Sequence, residues 1–341
     1  MSGKVLLIHT GGTIGMQKLA EGYQPISGFQ ALLRSRLDHS HHAQLPDFDY
    51  LELDTLIDSA NLEPAHWNQI AEKVIGNYQD YVGFVILHGT DTMSFSASAL
   101  SFMLQGLGKP VIITGSQIPL SELRSDALDN LITALLLAGF YPINEVCIYF
   151  SGRLLRGNRS SKMKATGLDA FDSPNFPWLG QVGLHIELHT RLFLPEQAEQ
   201  FSNPDFHEGA VAVLPIYPGM SAEMAGAICN TASTKALILQ SYGVGNLPDK
   251  NSGLMTALQV AADNGTLIVN ISRCPQAHVF QGQYACSQVL NDMGVIAGED
   301  MTLEATFCKL HYLIATENDT SVIKDKLASN LVGEIDKATY S

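Results

Sequence analysis

The chain is 341 residues long, with 46% apolar and 16% charged residues and a formal net charge of −14. That length suits about two domains of roughly 100–200 residues, and an apolar majority over charge is the opposite of what disorder needs. The acidity argues against the basic stripe of a nucleic-acid binder and carries no information about the fold.

The N-terminus opens on an apolar strand, Val5–Ile8, followed by glycines at Gly11 and Gly12. No charged region, long apolar segment or cleavage site precedes it, so no export signal is read. The longest apolar stretch, Leu131 to Phe140, is too short for a membrane span of roughly 20 residues. Five cysteines without a CxxC pair fit a reducing compartment better than a disulfide framework. A cytoplasmic protein without nucleic-acid or membrane partners is the expectation.

Short apolar runs then alternate with amphipathic stretches. Strands are expected at Val5–His9, Tyr50–Leu56, Gly83–Leu87, Val111–Thr114 and Val146–Phe150, with helices over Gly28–Leu37, Glu63–Tyr78, Phe95–Leu104 and Asp126–Ala138. Continuous Val/Ile/Leu runs are the mark of strands covered on both faces, as in a parallel sheet. The polar, proline-bearing stretch from Arg191 to Pro204 reads as a linker. Beyond it come strands at Val211–Leu214, Leu237–Gln240 and Leu267–Asn270. Helices are expected near Ser221–Ile228, Gly253–Asn264, Leu303–Ala315 and Ser321–Leu331. The fold class is therefore α/β, with a first domain over residues 1–190, a linker over 191–208 and a second domain over 209–341.

Ligands of an open parallel sheet bind beyond the carboxyl ends of its strands, and the polar residues of interest fall there. His9-Thr10-Gly11-Gly12-Thr13-Ile14-Gly15 follows the first strand, His88-Gly89-Thr90-Asp91-Thr92 the third and Gly115-Ser116-Gln117 the fourth. A dinucleotide fingerprint is absent, because Gly11, Gly12 and Gly15 have the wrong spacing and Gly243-Val244-Gly245 lacks a third glycine; the lysine-serine pair of a P-loop is missing too. No cofactor is expected. Glycines beside a hydroxyl leave backbone N–H groups free to hold an oxyanion, each worth roughly 3–4 kcal/mol in a transition state. A threonine hydroxyl needs a base within reach. Lys162, in a polar stretch beyond the fifth strand, is the candidate. Taken singly, a threonine after a strand is more often a turn or cap residue, and a loop lysine is more often solvated. The residues by themselves lead to a hydroxyl-rich crevice and stop short of a substrate.

At these residues the chain resembles the bacterial-type asparaginases, and within them the cytoplasmic type I branch. The resemblance runs through Thr10–Gly15, Leu87–Met93, Thr114–Leu120, Gly157-Asn158-Arg159 to Lys162, Ser241–Asn246 and Met301–Ala305, nearly the whole chain in order. It implies the asparaginase fold, with a larger N-terminal domain and a smaller Rossmann-like C-terminal one, and hydrolysis of L-asparagine to L-aspartate and ammonia. It makes Thr13 the nucleophile of an acyl-enzyme, and Thr90, Asp91 and Lys162 a second cluster that relays a proton. Tyr23 would sit on a mobile lid from about Ile14 to Pro25 and orient Thr13. Asp58, Ser59 and Ala60 would hold the substrate, with the Ser59 hydroxyl on its α-carboxylate and Asp91 on its α-ammonium. Such a pairing gives specificity, because unpaired buried charges are costly. The family builds its site between subunits, so a homodimer or homotetramer is implied, with Asn246 and Tyr284 facing a neighbour's pocket. Some type I members carry a second, regulatory asparagine site, and Gln240, Ser272, Arg273 and Cys274 stand at the positions of its pattern. The family's arginine stands there as Gln240, which cannot form a bidentate charged pair, and Arg273 is the substitute.

Three rival readings differ in chemistry. His185 and His189 have the i,i+4 spacing of a zinc helix, yet His185-Ile186-Glu187-Leu188-His189 alternates as a strand does and lacks a third ligand; His39, His41 and His42 read as solvated. No metal is expected. A non-catalytic amino-acid binder would need neither Thr13 nor Lys162. The asparaginase-like subunit that amidates misacylated tRNA normally has an extra N-terminal domain, whereas here the first strand begins at about residue 4.

Overall fold

The computed structural model describes residues 3–26, 28–37, 44–229, 231–281 and 285–336, with backbone alone at 285–287. Tyr284, His39, His41 and His42 lie outside the described residues.

The chain divides into two compact units, the first of residues 1–173 and 177–203, the second of residues 174–176 and 204–341. In chain order the first unit begins with β1 (Val5–Gly11), the hairpin β2 (Met16–Leu19) and β3 (Gly22–Pro25), and α1 (Phe29–Leu37). Next come β4 (Phe48–Ile57), α2 (Pro64–Gly76), β5 (Gly83–Leu87), α3 (Met93–Met103), β6 (Leu104–Gln105) and β7 (Val111–Thr114). They are followed by α4 (Ala127–Phe140), β8 (Val146–Phe150), β9 (Arg153–Arg156), β10 (Ser161–Lys162), β11 (Phe171–Asp172), β12 (Gly180–Val182), β13 (Ile186–Leu188) and β14 (Gln200–Phe201).

Eight of these strands form one sheet in the order β13-β12-β9-β8-β7-β5-β1-β4. The five from β4 to β8 run parallel, and β9, β12 and β13 add antiparallel pairs at the far edge. Every residue of β1, β5, β7 and β8 is buried, which is why these strands read as unbroken apolar runs rather than alternating ones. Around β1 the strand order reverses: the chain runs from β1 to β4 on one side, then to β5 on the other. Such a reversal opens a crevice between the carboxyl ends of the central strands.

An antiparallel turn between β8 and β9 is absent from the expected elements. Ser151 (φ +47°) and Gly152 (φ +82°) both take left-handed conformations there, the requirement of a two-residue hairpin turn. This turn brings the chain back along β9, so that Lys162 lies on β10 rather than in a free loop. The histidine-bearing segment does contain a strand, Ile186–Leu188, and His189 Nδ1 lies 2.8 Å from the Trp178 carbonyl. Within the stretch read as linker, β14 pairs with β6 and Ser202 donates to the Met103 carbonyl, which ties it to the first unit.

The second unit contains β15 (Val211–Pro215), α5 (Ala222–Cys229), β16 (Ala236–Ser241), α6 (Ser252–Asp263), β17 (Leu267–Ser272), α7 (Ala285–Asp292), β18 (Ile296–Ala297), α8 (Leu303–Thr316) and α9 (Thr320–Leu327). Its four strands run parallel in the order β15-β16-β17-β18. Two apolar clusters cover the two faces, one including Leu254 and Leu258 of α6, the other Leu310 and Leu313 of α8. Short helix α7 and strand β18 were missed, and α9 stops at Leu327, short of the expected Leu331. No helix among the described residues is long and apolar enough to cross a membrane.

Candidate active site

The site is assembled by glycines at the strand ends of the first unit. Gly12, at φ +88°, approaches Gly89 so closely that a Cβ on it would stand 2.4 Å from the Gly89 Cα. Gly89 in turn leaves no room beside Ser59, whose Oγ would lie 2.4 Å from an added Cβ. Backbone can come this near only where no side chain intervenes. The loops after β1, β4 and β5 therefore meet at one point. Thr13 follows the first glycine, Thr90 follows the second, and Ser59 closes the third side.

Thr13 begins a 3-10 turn, Thr13–Gly15, and is half-buried. The turn is fastened by Ile26 N to the Gly15 carbonyl (3.0 Å) and Leu120 N to the Ile14 carbonyl (3.2 Å). Thr10 ties the same loop to β5 through its hydroxyl on the Leu87 carbonyl, 2.8 Å. Among the described residues the Thr13 hydroxyl has no hydrogen-bond partner.

The second cluster is closely knit. Lys162 Nζ lies 2.8 Å from Thr90 Oγ1 and 2.7 Å from Asp91 Oδ1. Thr90 is buried and its hydroxyl donates to Gln117 Oε1 at 3.2 Å. Gln117 also donates to the carbonyls of Ala165 and Gly167, holding the loop that follows Lys162. A lysine that reaches both a hydroxyl and a carboxylate is an arrangement able to relay a proton.

Residues given no role by the sequence reading hold this cluster in place. His88 is buried; its Nδ1 lies 2.7 Å from the Gly89 carbonyl and its Nε2 2.8 Å from Ser96 Oγ. A carbonyl only accepts, so Nδ1 carries the hydrogen and Ser96 donates to Nε2. Burial pushes the His88 pKa down to about 4, which keeps the ring neutral behind Thr90. Asp126 precedes α4 but makes no cap to it. Its carboxylate instead accepts from Gln117 N and Ile118 N at 2.9–3.1 Å. The helix-start aspartate was visible in the sequence, but its reach backward to residues 117 and 118 was not.

The remaining expected residues fall as follows. Asp58 caps the Ser59–Asn61 turn by accepting from Ala60 N at 3.2 Å. Thr92 Oγ1 donates to the Ser59 carbonyl at 2.8 Å, joining that turn to the Thr90 loop. Tyr23 lies on β3 with half of its surface exposed (50%) and makes no hydrogen bond to Thr13. In the second unit, Asn246 closes a turn with Tyr242, donating to its carbonyl at 2.8 Å. Gln240, Ser272, Arg273 and Cys274 gather where β16 and β17 end. The Gln240 carbonyl accepts from Ile216 N, the Arg273 guanidinium donates to the Ile216 carbonyl, and Ser272 Oγ accepts from Cys274 N at 3.0 Å. Among the described residues no group of three or more His, Cys, Asp or Glu side chains could hold a metal ion.

Comparison with known proteins identifies the family. The family model "Asparaginase, N-terminal" matches residues 4–193 and "Glutaminase/Asparaginase C-terminal domain" matches residues 210–327. The chain is 48% identical over 332 residues to L-asparaginase 1 of Escherichia coli K12, covering 97% of each. Its structure is similar to that of L-asparaginase I from Vibrio cholerae, with TM-score 0.88 and 42% identity over 98% of this chain and 99% of the other. It is also similar to the thermostable L-asparaginase from Thermococcus kodakarensis, with TM-score 0.89 and 29% identity over 98% of this chain and all of the other. With two glycine-bridged hydroxyl loops at the switch point of a parallel sheet, and a family match along both units, the chain belongs to the asparaginase family.

Proposed function

We propose that the chain is an L-asparaginase that hydrolyses L-asparagine to L-aspartate and ammonia, with Thr13 as the nucleophile. The Thr13 hydroxyl oxygen attacks the side-chain amide carbon, and its proton passes to the departing amine. The tetrahedral oxyanion is met by N–H groups that the glycine turns leave unobstructed. The resulting ester is then cleaved by water, whose proton moves through the Thr90, Lys162 and Asp91 cluster. Asp91 gives one oxygen to Lys162, and its exposed carboxylate also pairs with the substrate ammonium. The Ser59 hydroxyl and the turn capped by Asp58 take the α-carboxylate, beside Ala60. Tyr23 comes over Thr13 when the hairpin closes on the substrate.

The observation that carries this reading is Lys162 Nζ within hydrogen-bond distance of both Thr90 and Asp91, one glycine contact away from the Thr13 turn. The test is ammonia release from L-asparagine without added metal or nucleotide. Thr13→Ala should remain folded and lose about 10³-fold or more in kcat; wild-type turnover in that variant would sink the nucleophile assignment.

The enzyme acts in the cytoplasm and as a homodimer or homotetramer, in which Asn246 and Tyr284 serve a neighbour's pocket; sedimentation at working concentration tests the assembly. At the second-unit cluster, Gln240 offers no charge to a carboxylate and the Arg273 guanidinium already donates to Ile216. Rate should therefore rise hyperbolically with asparagine. A sigmoid would instead assign Gln240, Ser272, Arg273 and Cys274 to a regulatory site.

A further inference from the structure

His9 lies in β1, directly beneath the Thr13 turn, and its side chain is fully buried. Its ring edge meets Gly15: a Cβ added there would stand 2.7 Å from His9 Nε2 and 2.8 Å from Cε1. On another side the ring packs on Phe29 of α1, centroids 4.5 Å apart. From β4, Tyr50 Oη lies 2.9 Å and Glu52 Oε2 3.2 Å from His9 Nδ1. Tyr50 gives its own proton to the same Glu52 carboxylate.

These partners fix the tautomer. A carboxylate only accepts, and the single Tyr50 proton is committed to it, so Nδ1 must carry the imidazole hydrogen. Nε2 is left with its lone pair and has no partner among the described residues. A proton on Nε2 would be a buried donor facing the Gly15 Cα, with nothing to accept it.

We propose that His9 is a positioning residue for the nucleophile: its neutral ring, oriented by Tyr50 and Glu52, is the floor on which Gly15, and through it Thr13, rests. The inference rests on the reading of Thr13 as the attacking group. The mechanical link is short. Gly15 N donates to the Gly12 carbonyl at 3.2 Å, closing the turn, and the Gly15 carbonyl receives Ile26 N. A shift of Gly15 therefore moves both the turn and the end of the hairpin. Tyr50 and Glu52 of β4 are the titratable groups facing the ring, and Phe29 of α1 is uncharged. Burial lowers the His9 pKa from its usual value, and Glu52 opposes that shift. Acid strong enough to protonate the ring adds an N–H against Gly15 and displaces the turn.

The test combines variants with a direct view of the ring in the full-length protein. His9→Ala should lower kcat about tenfold to a hundredfold, the scale of a small misplacement of a reacting group, with KM changed less than about threefold. His9→Asn, whose side-chain amide can still donate to Glu52, does not titrate and places nothing against Gly15, should restore part of that kcat near pH 8 and weaken the acid-side fall in kcat expected of the wild type. Long-range 1H–15N spectra of the wild type near neutral pH should find Nδ1 protonated and Nε2 bare. Wild-type kcat in His9→Ala, an unchanged acid fall in His9→Asn, or a protonated Nε2 would each overturn the proposal. The spectral result stands even if His9→Ala fails to fold. Turnover surviving in Thr13→Ala would instead strike the nucleophile reading, so the two failures are distinguishable.

Discussion

Two lysine–carboxylate pairs in this protein have nearly the same length and opposite settings. Lys162 Nζ lies 2.7 Å from Asp91, with side-chain exposures of 18% and 60%. Lys309 Nζ lies 2.6 Å from Glu334, and neither side chain is exposed at all. Lys309 also donates to the carbonyls of Leu327 and Ser329, while Glu334 accepts from Leu331 N and Val332 N. Withdrawing two charges from water costs several kcal/mol per ion, and only such full hydrogen bonding offsets it. The buried pair is saturated and can do nothing but fix where the end of the chain lies against α8. Lys162 instead turns toward a hydroxyl, and its carboxylate partner keeps an open side. The difference between a structural and a chemical ion pair is this unspent capacity, not its length.

The contrast can be broken by substitution. Lys162→Met should lower kcat by about 10²–10⁴-fold with little change in Tm, because a pair this open contributes about 0–1 kcal/mol. A large Tm drop with modest kinetic loss would reverse the assignment. Lys309→Met should do the converse, costing about 3–5 kcal/mol in urea unfolding by stranding Glu334 while the folded protein keeps its kcat. The double variant Lys309→Met/Glu334→Leu should regain part of that stability, but not all, since Leu331 N and Val332 N lose their acceptor.

Acid probes the same two regions through buried histidines. Burial holds His88, behind Thr90, and His311, two residues from Lys309 in α8, at about 4 against an ordinary 6.5. Both are neutral in the folded state while the unfolded chain takes up protons. Stability is thus unaffected above pH 6.5 and falls as pH drops from 6.5 toward 4, by up to roughly 3 kcal/mol for each ring. Urea midpoints across that range measure the loss, and His311→Phe should remove about half of it, leaving the His88 share, without changing kcat at neutral pH. The smallest effect concerns the substrate. With the α-groups fixed, the extra methylene of glutamine misplaces the amide, and kcat/KM should fall about 10- to 200-fold relative to asparagine; equal values would contradict the geometry.

Much of this was legible in the residues. Gly83–Leu87, Val111–Thr114 and Val146–Phe150 were bounded as the structure has them, because an apolar run flanked by polar turn residues is a local signal. The glycines before Thr13 and Thr90 marked the crevice for the same reason. Lys162 stood out in the polar stretch beyond the fifth strand and gained its partners by resemblance, while its reach to Thr90 depends on the left-handed Ser151-Gly152 turn, which carries no apolar signal. Gln117 and His88 stood inside quoted motifs without a role. Asp126 and His9 were visible at a helix start and a strand end, but their partners lie on other strands or loops and leave no local signal.

The sequence determined the alternation of strand and helix, the exclusion of a dinucleotide loop and the positions of the hydroxyls, all properties of near neighbours along the chain. Tertiary structure alone decided that Gly12 touches Gly89, that Lys162 and not another cation meets Thr90, and that His9 lies under Gly15. Those contacts join residues brought together by strand order and backbone approach, which no spacing along the chain encodes.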